Sequence, residues 1–268
     1  MNTNFVERPD GRIAYDIQGQ GPLVVMVPGM GDLRSTYRYL APAITEAGFT
    51  VVTTDLRGHG ESDSTFRSYG DVETADDVVA LLEHLDQPAV LMGNSMSAGS
   101  VAYLAAIKPE LVRGLVLVGP FVRNGDTSAI QRLMLRAAMA PAWAAQSWRA
   151  YLPKLYAGTK PADLDSHISS IFSSIKRPGY AASFSLTTRT SHAPVEAVLG
   201  QISAPALVVM GELDPDFKDP KVEAQWIAER LGADVVMVPD AGHYPHAQHP
   251  EIVTTAVLGF LSRLSTDA

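Results

Sequence analysis

The sequence lacks cysteine and long apolar runs, and its first residues give no reason to expect a leader segment. With no cysteine among 268 residues, disulfide bridges, thiolate metal sites and a cysteine nucleophile are excluded. No stretch approaches the roughly 18 uninterrupted apolar residues that a membrane-spanning helix needs, so no association with a membrane is expected. The first residues have neither a basic region nor an apolar region of the secretory kind. The default expectation is therefore a cytoplasmic protein.

Positive charge is also scarce. The chain has 21 lysine and arginine residues against 29 aspartate and glutamate residues, for a net charge of −8. Because no basic tract is available to neutralise phosphates, nucleic acid is not an expected partner. A hydrophobic fraction of 46% with 19% charged residues is that of an ordinary globular protein. A chain of this length can form one large α/β domain with a sizeable core.

Short apolar runs without alternation recur along the chain. Such runs, rich in β-branched residues, predict buried parallel strands. They occupy residues 23–27, 51–54, 89–92, 115–118, 206–210 and 234–238. Helical patterns lie between them, such as the one from Asp71, a candidate N-cap, to Leu85. This alternation predicts an α/β fold with a mostly parallel sheet and helices on both faces, whose working site lies at the carboxyl ends of the strands.

Residues 122–201 interrupt this alternation. They show helical patterns and several prolines but no strand-like apolar run. We therefore expect a core domain formed by residues 1–121 and 202–268, with an inserted helical lid, or cap, at 122–201. Large apolar side chains of the lid, such as Trp148 and Ile171, are expected mainly to pack the lid onto itself and onto the core.

Ser95 is the candidate nucleophile. The triplet Gly-x-Ser alone is weak, because average residue usage produces one or two copies by chance, and 60–62 is a second copy here. Ser95 differs in context, since it follows the apolar run 89–92 directly and opens a helix of small residues. A sharp turn from strand to helix lifts one side chain above the sheet edge. The alternative is a serine that merely caps this helix.

A serine hydroxyl needs a neighbouring base, and seven histidines are available. His243 is the chosen base, because it lies after the predicted strand 234–238 and before the last helix. His246 is the one serious rival. The remaining histidines are expected to be structural, capping or on the surface, with a substrate contact open for the two in the lid; they are His59, His84, His167, His192 and His249.

The orienting carboxylate is expected from the loop after strand 206–210. Asp214 lies directly at that strand end and is favoured over Asp216, although side-chain direction decides between them. Asp219 lies further out, and Asp240 is expected to be a turn residue. The predicted catalytic residues therefore come in the order Ser95, Asp214, His243.

An oxyanion intermediate needs backbone N–H donors. We expect one from Met96, at the start of the nucleophile helix, and one from Met30, in the glycine-rich turn 28–31. Gly29, Met30 and Met96 are then the expected substrate-binding residues, with the methionine side chains lining an apolar acyl pocket. The alternative for the turn is a plain bend between strand and helix. No metal and no cofactor is implied.

Taken in order, these motifs resemble the α/β-hydrolase fold family over almost the whole chain. The residues that carry the resemblance are 27–31 (VPGMG), 55–63 (DLRGHGESD), 93–97 (GNSMS), 211–214 (GELD) and Gly242-His243. The resemblance implies an eight-stranded sheet with one antiparallel strand near the start, a lid after the sixth strand, and a structural role for His59. Two departures are Pro28, where many members have histidine, and Ser97, where the elbow usually has glycine.

Three functional hypotheses follow for a small-molecule substrate. The first is a serine hydrolase that cleaves a carboxylic ester or related acyl bond through an acyl-enzyme on Ser95. The alternative is a C–C bond hydrolase of ring-cleavage products, to whose elbow residues 93–96 are similar. The third is a hydrolase-like receptor that binds a small ligand with little turnover.

Overall fold

The computed structural model describes residues 3–125 and 128–266. An eight-stranded sheet forms its centre, in the spatial order β1-β2-β4-β3-β5-β6-β7-β8. Strand β2 runs antiparallel to both of its neighbours, and every other neighbouring pair is parallel. The strands are β1 (Asn4–Arg8), β2 (Gly11–Gln18), β3 (Leu23–Val27), β4 (Thr50–Thr54), β5 (Ala89–Asn94), β6 (Val112–Val118), β7 (Ala206–Gly211) and β8 (Asp234–Val238).

The predicted α/β fold is confirmed. Each of the six apolar runs forms a strand, and the central strands β3 to β7 are buried on both faces apart from Arg113 in β6. Strands β1 and β2 form a partly exposed hairpin at the sheet edge, with buried and exposed positions interspersed. No continuous apolar run marks them, which is why the pattern of the sequence alone did not predict them.

Helices cover both faces of the sheet. Alternate strand residues such as Val25 and Met26 point to opposite faces and belong to two separate apolar cores. Helices α2, α3, α8 and α9 contribute to one core, and α1 and α11 contribute to the other. The helices are α1 (Leu40–Glu46), α2 (Asp71–Leu85), α3 (Met96–Ile107), α4 (Ala129–Ala138), α5 (Ala144–Leu155), α6 (Leu164–Ile175), α7 (Tyr180–Thr187), α8 (Ala193–Val198), α9 (Pro220–Leu231), α10 (Pro245–Gln248) and α11 (Pro250–Thr266).

The segment 122–201, called the helical segment below, contains α4 to α8 and, in its described part, no strand. Helices α5, α6 and α7 share a third apolar cluster that includes Trp148, Ile171 and Phe184. Tyr244 of the core joins this cluster and stacks on Tyr156 with 4.5 Å between ring centroids. Most large apolar side chains of the helical segment therefore pack inward, whereas α4 buries none of its residues.

Asp71 is not the N-cap of α2, contrary to the prediction. Gly70 occupies that position and makes no side-chain cap, while Asp71 is the first helical residue. Its buried carboxylate accepts hydrogen bonds from the Ser100 hydroxyl at 3.0 Å and from Nδ1 of His192 at 2.7 Å. Asp71 thus connects α2 to α3 and to His192, near the end of the helical segment. In the part of the chain that the structure describes, no helix has the length and apolar character to traverse a bilayer.

Candidate active site

Ser95 lies at the turn between β5 and α3, with a backbone that few residues adopt. Its φ of 59° and ψ of −126° are unusual for a residue other than glycine. Its N–H donates to the carbonyl of Val118 at 2.8 Å, and its carbonyl accepts from the N–H of Phe121 at 3.2 Å. Two backbone bonds to the end of β6 and the residues after it therefore hold the strained turn in place.

The turn needs small residues on both sides of Ser95. A Cβ added to Gly93 would lie 2.4 Å from the carbonyl oxygen of Ser97, so strand and helix pass too closely for any side chain there. Ser97 stands where the elbow usually has glycine, and its hydroxyl donates to the carbonyl of Pro28 at 2.6 Å. The departure from the family pattern therefore adds a bond between the nucleophile helix and the turn 28–31.

The hydroxyl of Ser95 does not cap α3. Ser95 occupies the N-cap position, but its side chain makes no capping hydrogen bond. The first N–H groups of a helix have no partner within the helix, and the helix dipole favours negative charge there. The main-chain N–H of Met96, the first residue of α3, is therefore available at the position where the sequence predicts an oxyanion donor.

His243 and Asp214 form a buried pair. Nδ1 of His243 donates to Oδ2 of Asp214 at 2.7 Å, and both side chains are almost fully buried. The other carboxylate oxygen of Asp214 accepts from the N–H of Asp216 at 3.0 Å. Gly119 leaves room for the imidazole, because an added Cβ would lie 3.1 Å from its Nδ1 and Cε1 atoms. The residues favoured from the sequence are thus the ones that pair.

The negative charge of Asp214 favours the protonated form of His243. Burial acts to lower its pKa, but the charge and hydrogen bond of Asp214 outweigh burial and, with a smaller contribution from Asp216, raise the pKa to about 9. In that protonation state Nδ1 is fixed as a donor to Asp214. The atom that exchanges a proton with a reactant is therefore Nε2.

Asp216 lies on the other side of the same imidazole. Its Oδ2 is 3.9 Å from Nε2 of His243, and its Oδ1 accepts from the hydroxyl of Tyr151 at 2.7 Å. The two aspartates, between which the sequence leaves the choice open, differ in their contacts: Asp214 bonds Nδ1, and Asp216 faces Nε2 beyond hydrogen-bond distance.

Ser95 and His243 are neighbours without a direct hydrogen bond. Nε2 of His243 is buried and, among the described residues, has no hydrogen-bond partner. Phe121 links the two residues, since its N–H bonds the Ser95 carbonyl and its ring lies edge-on to the imidazole at 5.8 Å. The Nδ2 atom of Asn94 also donates to the His243 carbonyl at 3.3 Å. Hydrogen bonds between nucleophile and base often tighten only when substrate is bound.

The glycine-rich turn lies against Ser95 and is held from three sides. A Cβ on Gly29 would lie 2.9 Å from the Cβ of Ser95. Nε2 of His59 accepts from the N–H of Gly31 at 3.1 Å, and Nε1 of Trp148 donates to the Gly31 carbonyl at 2.7 Å. Because burial lowers the pKa of His59, its ring stays neutral and can accept this bond. Met30 therefore sits in a turn that is fixed before any ligand arrives.

His167 corrects a prediction. It was expected on the surface of the helical segment, yet it is buried, and Nε2 donates to Oδ1 of Asp32 at 2.8 Å. Burial acts to raise the pKa of Asp32, but the charge and hydrogen bond of His167 hold it below its ordinary value. The burial of His167 follows from the tertiary structure. Asp32 follows the turn 28–31, and its fully buried carboxylate requires a donor. This pair adds to the hydrogen bonds that Ser97, His59 and Trp148 make with the turn.

His246, the alternative candidate for the base, takes no part in the Asp214–His243 pair. It is fully buried, its Nε2 forms a hydrogen bond with the Thr36 hydroxyl at 3.0 Å, and burial lowers its pKa to about 3. Within the described residues no carboxylate pairs with it. His59 lies in its turn, where its Nδ1 bonds the Arg57 carbonyl at 3.0 Å, and His84 is an exposed residue of α2.

Met96 and Met30 were expected to line an apolar acyl pocket. Met96 is buried, and its sulfur accepts a hydrogen bond from the Thr190 hydroxyl at 3.4 Å. Met30 is partly buried between the core and the cluster of the helical segment. Both side chains thus lie at the boundary between the sheet edge and the helical segment.

Two other features of the structure have residues of the kind that bind ligands. Ligand atoms of Asp214, Asp216 and His243 lie within 4.8 Å of one another, but Asp214 and Nδ1 are already bonded to each other, which leaves two groups for a metal. A surface cavity of about 470 Å³ contains none of the site residues. It is lined by Arg34 and the carboxylates with which Arg34 pairs, Asp16, Asp55 and Glu61. Each of these carboxylates therefore already has a basic partner, although a single arginine serves all three.

Four residues of the site were not identified from the sequence. Asn94 belongs to the elbow motif, but the sequence indicates no role for it. In the structure it joins the elbow to the loop that carries His243. Phe121 follows β6 by three residues, a strand-end position that could have drawn attention to it. Tyr151 and Phe217 give no such signal, because their places beside Asp216 and His243 depend on how distant segments pack.

Comparisons with known proteins agree with this geometry. A model described as the alpha/beta hydrolase family matches residues 24–256. A 2-(acetamidomethylene)succinate hydrolase of Mesorhizobium japonicum is 29% identical over 265 residues, covering 94% of this chain and 92% of that enzyme. Among solved structures, a bromoperoxidase from Bacillus anthracis has a TM-score of 0.86 at 21% identity, over 97% of this chain and 100% of that one. A thermophilic esterase from Thermogutta terrifontis has a TM-score of 0.78 at 24% identity, over 98% and 99%. The chain belongs to the alpha/beta hydrolase family.

Proposed function

We propose that this protein is a serine hydrolase that cleaves carboxylic esters through an acyl-enzyme on Ser95. The observation that carries the proposal is the buried Asp214–His243 pair, whose loop is hydrogen-bonded to Asn94, the residue before a serine held in a strained turn. The bond from Nδ1 to Asp214 leaves Nε2 as the nitrogen that can exchange a proton with a reactant.

Acylation begins with attack of the Ser95 oxygen on the ester carbonyl. Nε2 of His243 takes the hydroxyl proton as the carbon–oxygen bond forms, and Asp214 keeps the imidazole oriented and stabilises its positive charge. The tetrahedral intermediate then expels the alcohol, which receives the proton from Nε2. The products are an acyl ester of Ser95 and a free alcohol.

Deacylation repeats the sequence with water. Nε2 takes a proton from the water as its oxygen attacks the acyl carbon, and returns that proton to the Ser95 oxygen as the carboxylic acid leaves. In both tetrahedral intermediates the main-chain N–H groups of Met30 and Met96 hold the oxyanion. The support for this role is the fixed turn around Gly31 and the position of Met96 as first residue of α3.

We further propose that the helical segment acts as the lid of this site. It supplies Tyr151, which bonds Asp216, and Trp148, which bonds the turn 28–31. The Leu155 carbonyl also accepts from the N–H of His243 at 2.7 Å. Because its side chains border the site, this segment determines which acyl and alcohol groups fit.

Ser95→Ala tests the proposal. We expect hydrolysis of short p-nitrophenyl esters to fall by several powers of ten, and a fluorophosphonate probe to label wild-type protein at Ser95 as located by mass spectrometry. Ser169→Ala, at an exposed serine of α6, is the matched control and should retain both activity and labelling. Undiminished activity in Ser95→Ala would refute the proposed mechanism.

The C–C bond hydrolase hypothesis keeps the same three residues but needs a site that accepts a dienol carboxylate. The carboxylate of Asp216 beside Nε2 opposes an anionic substrate at that position. We therefore expect simple esters to be hydrolysed faster than a vinylogous diketone acid when the two are compared at equal concentration. The reverse order would favour the C–C bond hydrolase.

A further inference from the structure

Asp216 is a second carboxylate at the site, separate from the one that orients the base. Oδ1 accepts from Tyr151, while Oδ2 points toward Nε2 of His243 at 3.9 Å, too far for a hydrogen bond. About 20% of the Asp216 side chain is exposed, against about 1% of the His243 side chain, so Asp216 is the more accessible of the two groups. Esterase chemistry at Ser95 does not require this group, since Asp214 already orients His243.

The negative charge of Asp216 has no lysine or arginine partner among the described residues. Within residues 3–125 and 128–266, its one ion-pair contact is the distant one to His243, and neither lysine nor arginine pairs with it. Burial raises the pKa of Tyr151, and Asp216 raises it further, so this hydroxyl stays protonated and is a neutral donor. The carboxylate is thus neutralised less completely than the buried acids that pair with arginine elsewhere in the chain, such as Asp77.

Aromatic rings also lie around the His243 imidazole. The rings of Phe121 and Phe217 lie 4.9 Å apart, and both contact the His243 ring, at 5.8 and 6.5 Å between centroids. Tyr151, which holds Asp216, lies 5.8 Å from Trp148. A carboxylate beside aromatic rings is the combination that recognises an organic cation, because the rings attract positive charge and exclude water.

The position of Asp216 identifies the part of the substrate that it would meet. Nε2 delivers its proton to the departing alcohol, so a group beside Nε2 lies on the leaving-group side of the carbonyl and not on the acyl side. We propose that Asp216, with the rings of Phe121 and Phe217, selects esters whose alcohol carries a positive charge, such as a quaternary ammonium group. This inference rests on the esterase function proposed above and specifies its substrate class.

A pair of acetates that differ in charge but hardly in shape tests the inference. Acetylcholine carries a trimethylammonium group where 3,3-dimethylbutyl acetate carries a neutral tert-butyl group. We expect wild-type kcat/KM to favour acetylcholine by tenfold or more, and Asp216→Asn to reduce this ratio at least tenfold. Because the ratio compares two substrates on one preparation, loss of folded protein does not change it.

Glu212→Gln is the matched control. It removes one negative charge from an exposed residue of the same loop and should leave the ratio unchanged. Tyr151→Phe keeps the Asp216 carboxylate while removing its donor, and should retain the preference for the cation. A fall of the ratio in Glu212→Gln as large as in Asp216→Asn would show a general effect of net charge and would overturn the inference.

Inhibition provides a second measurement on the same site. Choline should inhibit hydrolysis of p-nitrophenyl acetate more strongly than 3,3-dimethylbutanol does, and Asp216→Asn should abolish the difference. Equal inhibition by the two alcohols, together with equal kcat/KM for the two acetates, would overturn the cation selectivity and leave the esterase function standing. Hydrolysis that persists in Ser95→Ala would instead overturn the esterase function and this inference with it.

Discussion

At the scale of single residues, the protonation of His243 determines when the site can act. The imidazole must be neutral to accept a proton from Ser95, and its pKa is raised to about 9 by Asp214 and Asp216 against the effect of burial. The neutral fraction, and with it activity, therefore increases as the pH rises toward this value. The two carboxylates contribute differently, since only Asp214 is hydrogen-bonded to the ring.

The pH dependence of kcat/KM checks this assignment. On a neutral ester, we expect kcat/KM to rise with pH and to level off above an apparent pKa of about 9. Asp216→Asn removes one of the charges that stabilise the protonated ring, so the apparent pKa should move downward. A wild-type profile that levels off near the ordinary histidine value of 6.5, unmoved in Asp216→Asn, would contradict it.

Substitutions of Asp214 and of Asp216 should also differ in their effect on kcat. In Asp214→Asn the amide cannot stabilise the imidazolium, and kcat on a neutral ester should fall by roughly three to four powers of ten. In Asp216→Asn, kcat on the same ester should stay within about tenfold of wild type, because no bond to the imidazole is lost. The comparison is steady-state kinetics on both variants, and equal losses would argue against separate roles.

Ser97 carries a prediction about stability. Ser97→Ala removes the bond to the Pro28 carbonyl and leaves that buried acceptor unpaired, which should lower the free energy of unfolding by about 1–3 kcal/mol. Urea denaturation followed by circular dichroism measures this loss. Ser100→Ala, which removes another buried hydroxyl of α3, separates the effect at the turn 28–31 from a general effect of serine loss. The turn is also freed, so kcat should fall in Ser97→Ala and not in Ser100→Ala.

At the scale of elements, the turn 28–31 depends on α5 and α6 for its position. Trp148 of α5 bonds the Gly31 carbonyl, and His167 of α6 bonds Asp32. Neither contact lies within the core that carries Ser95. The element that is expected to hold the oxyanion is therefore positioned in part by helices from a different part of the chain.

His167→Ala tests this dependence. It leaves the buried Asp32 carboxylate without its partner, and the free energy of unfolding should fall by about 3–5 kcal/mol. In the protein that remains folded, a displaced turn should lower kcat more than it raises KM, because the oxyanion forms only after binding. Thermal melts and steady-state kinetics supply the two measurements. A variant as stable and as active as wild type would exclude the proposed coupling.

At the scale of the whole molecule, the sequence predicts where elements lie better than where side chains point. Six apolar runs predicted six strands, and strand ends placed Ser95, Asp214 and His243 at one edge of the sheet. That reasoning works because burial of parallel strands leaves a continuous apolar signal. The roles of these residues, and of Met30 and Met96, stay predictions until the variants are measured.

Contacts between distant residues explain what the sequence could not predict. The direction of Asp216 depends on Tyr151, 65 positions away, and the burial of His167 depends on Asp32, 135 positions away. No local pattern encodes such a pair, since each partner looks like an ordinary polar residue on its own element. The apolar pattern does not predict the hairpin of β1 and β2 for a different reason. Strands at the edge of a sheet require no continuous apolar run.

The hydrogen bonds that the helical segment makes to main-chain atoms limit how this protein can be redesigned. Trp148 bonds the Gly31 carbonyl, and the Leu155 carbonyl receives the N–H of His243, so both bonds persist whatever side chains occupy the substrate space. Exchange of residues 122–201 for those of a relative would change specificity only if the new segment brought its own donor and acceptor to these two points. Point substitutions that keep Trp148 and the end of α5 are therefore the safer route to new substrates.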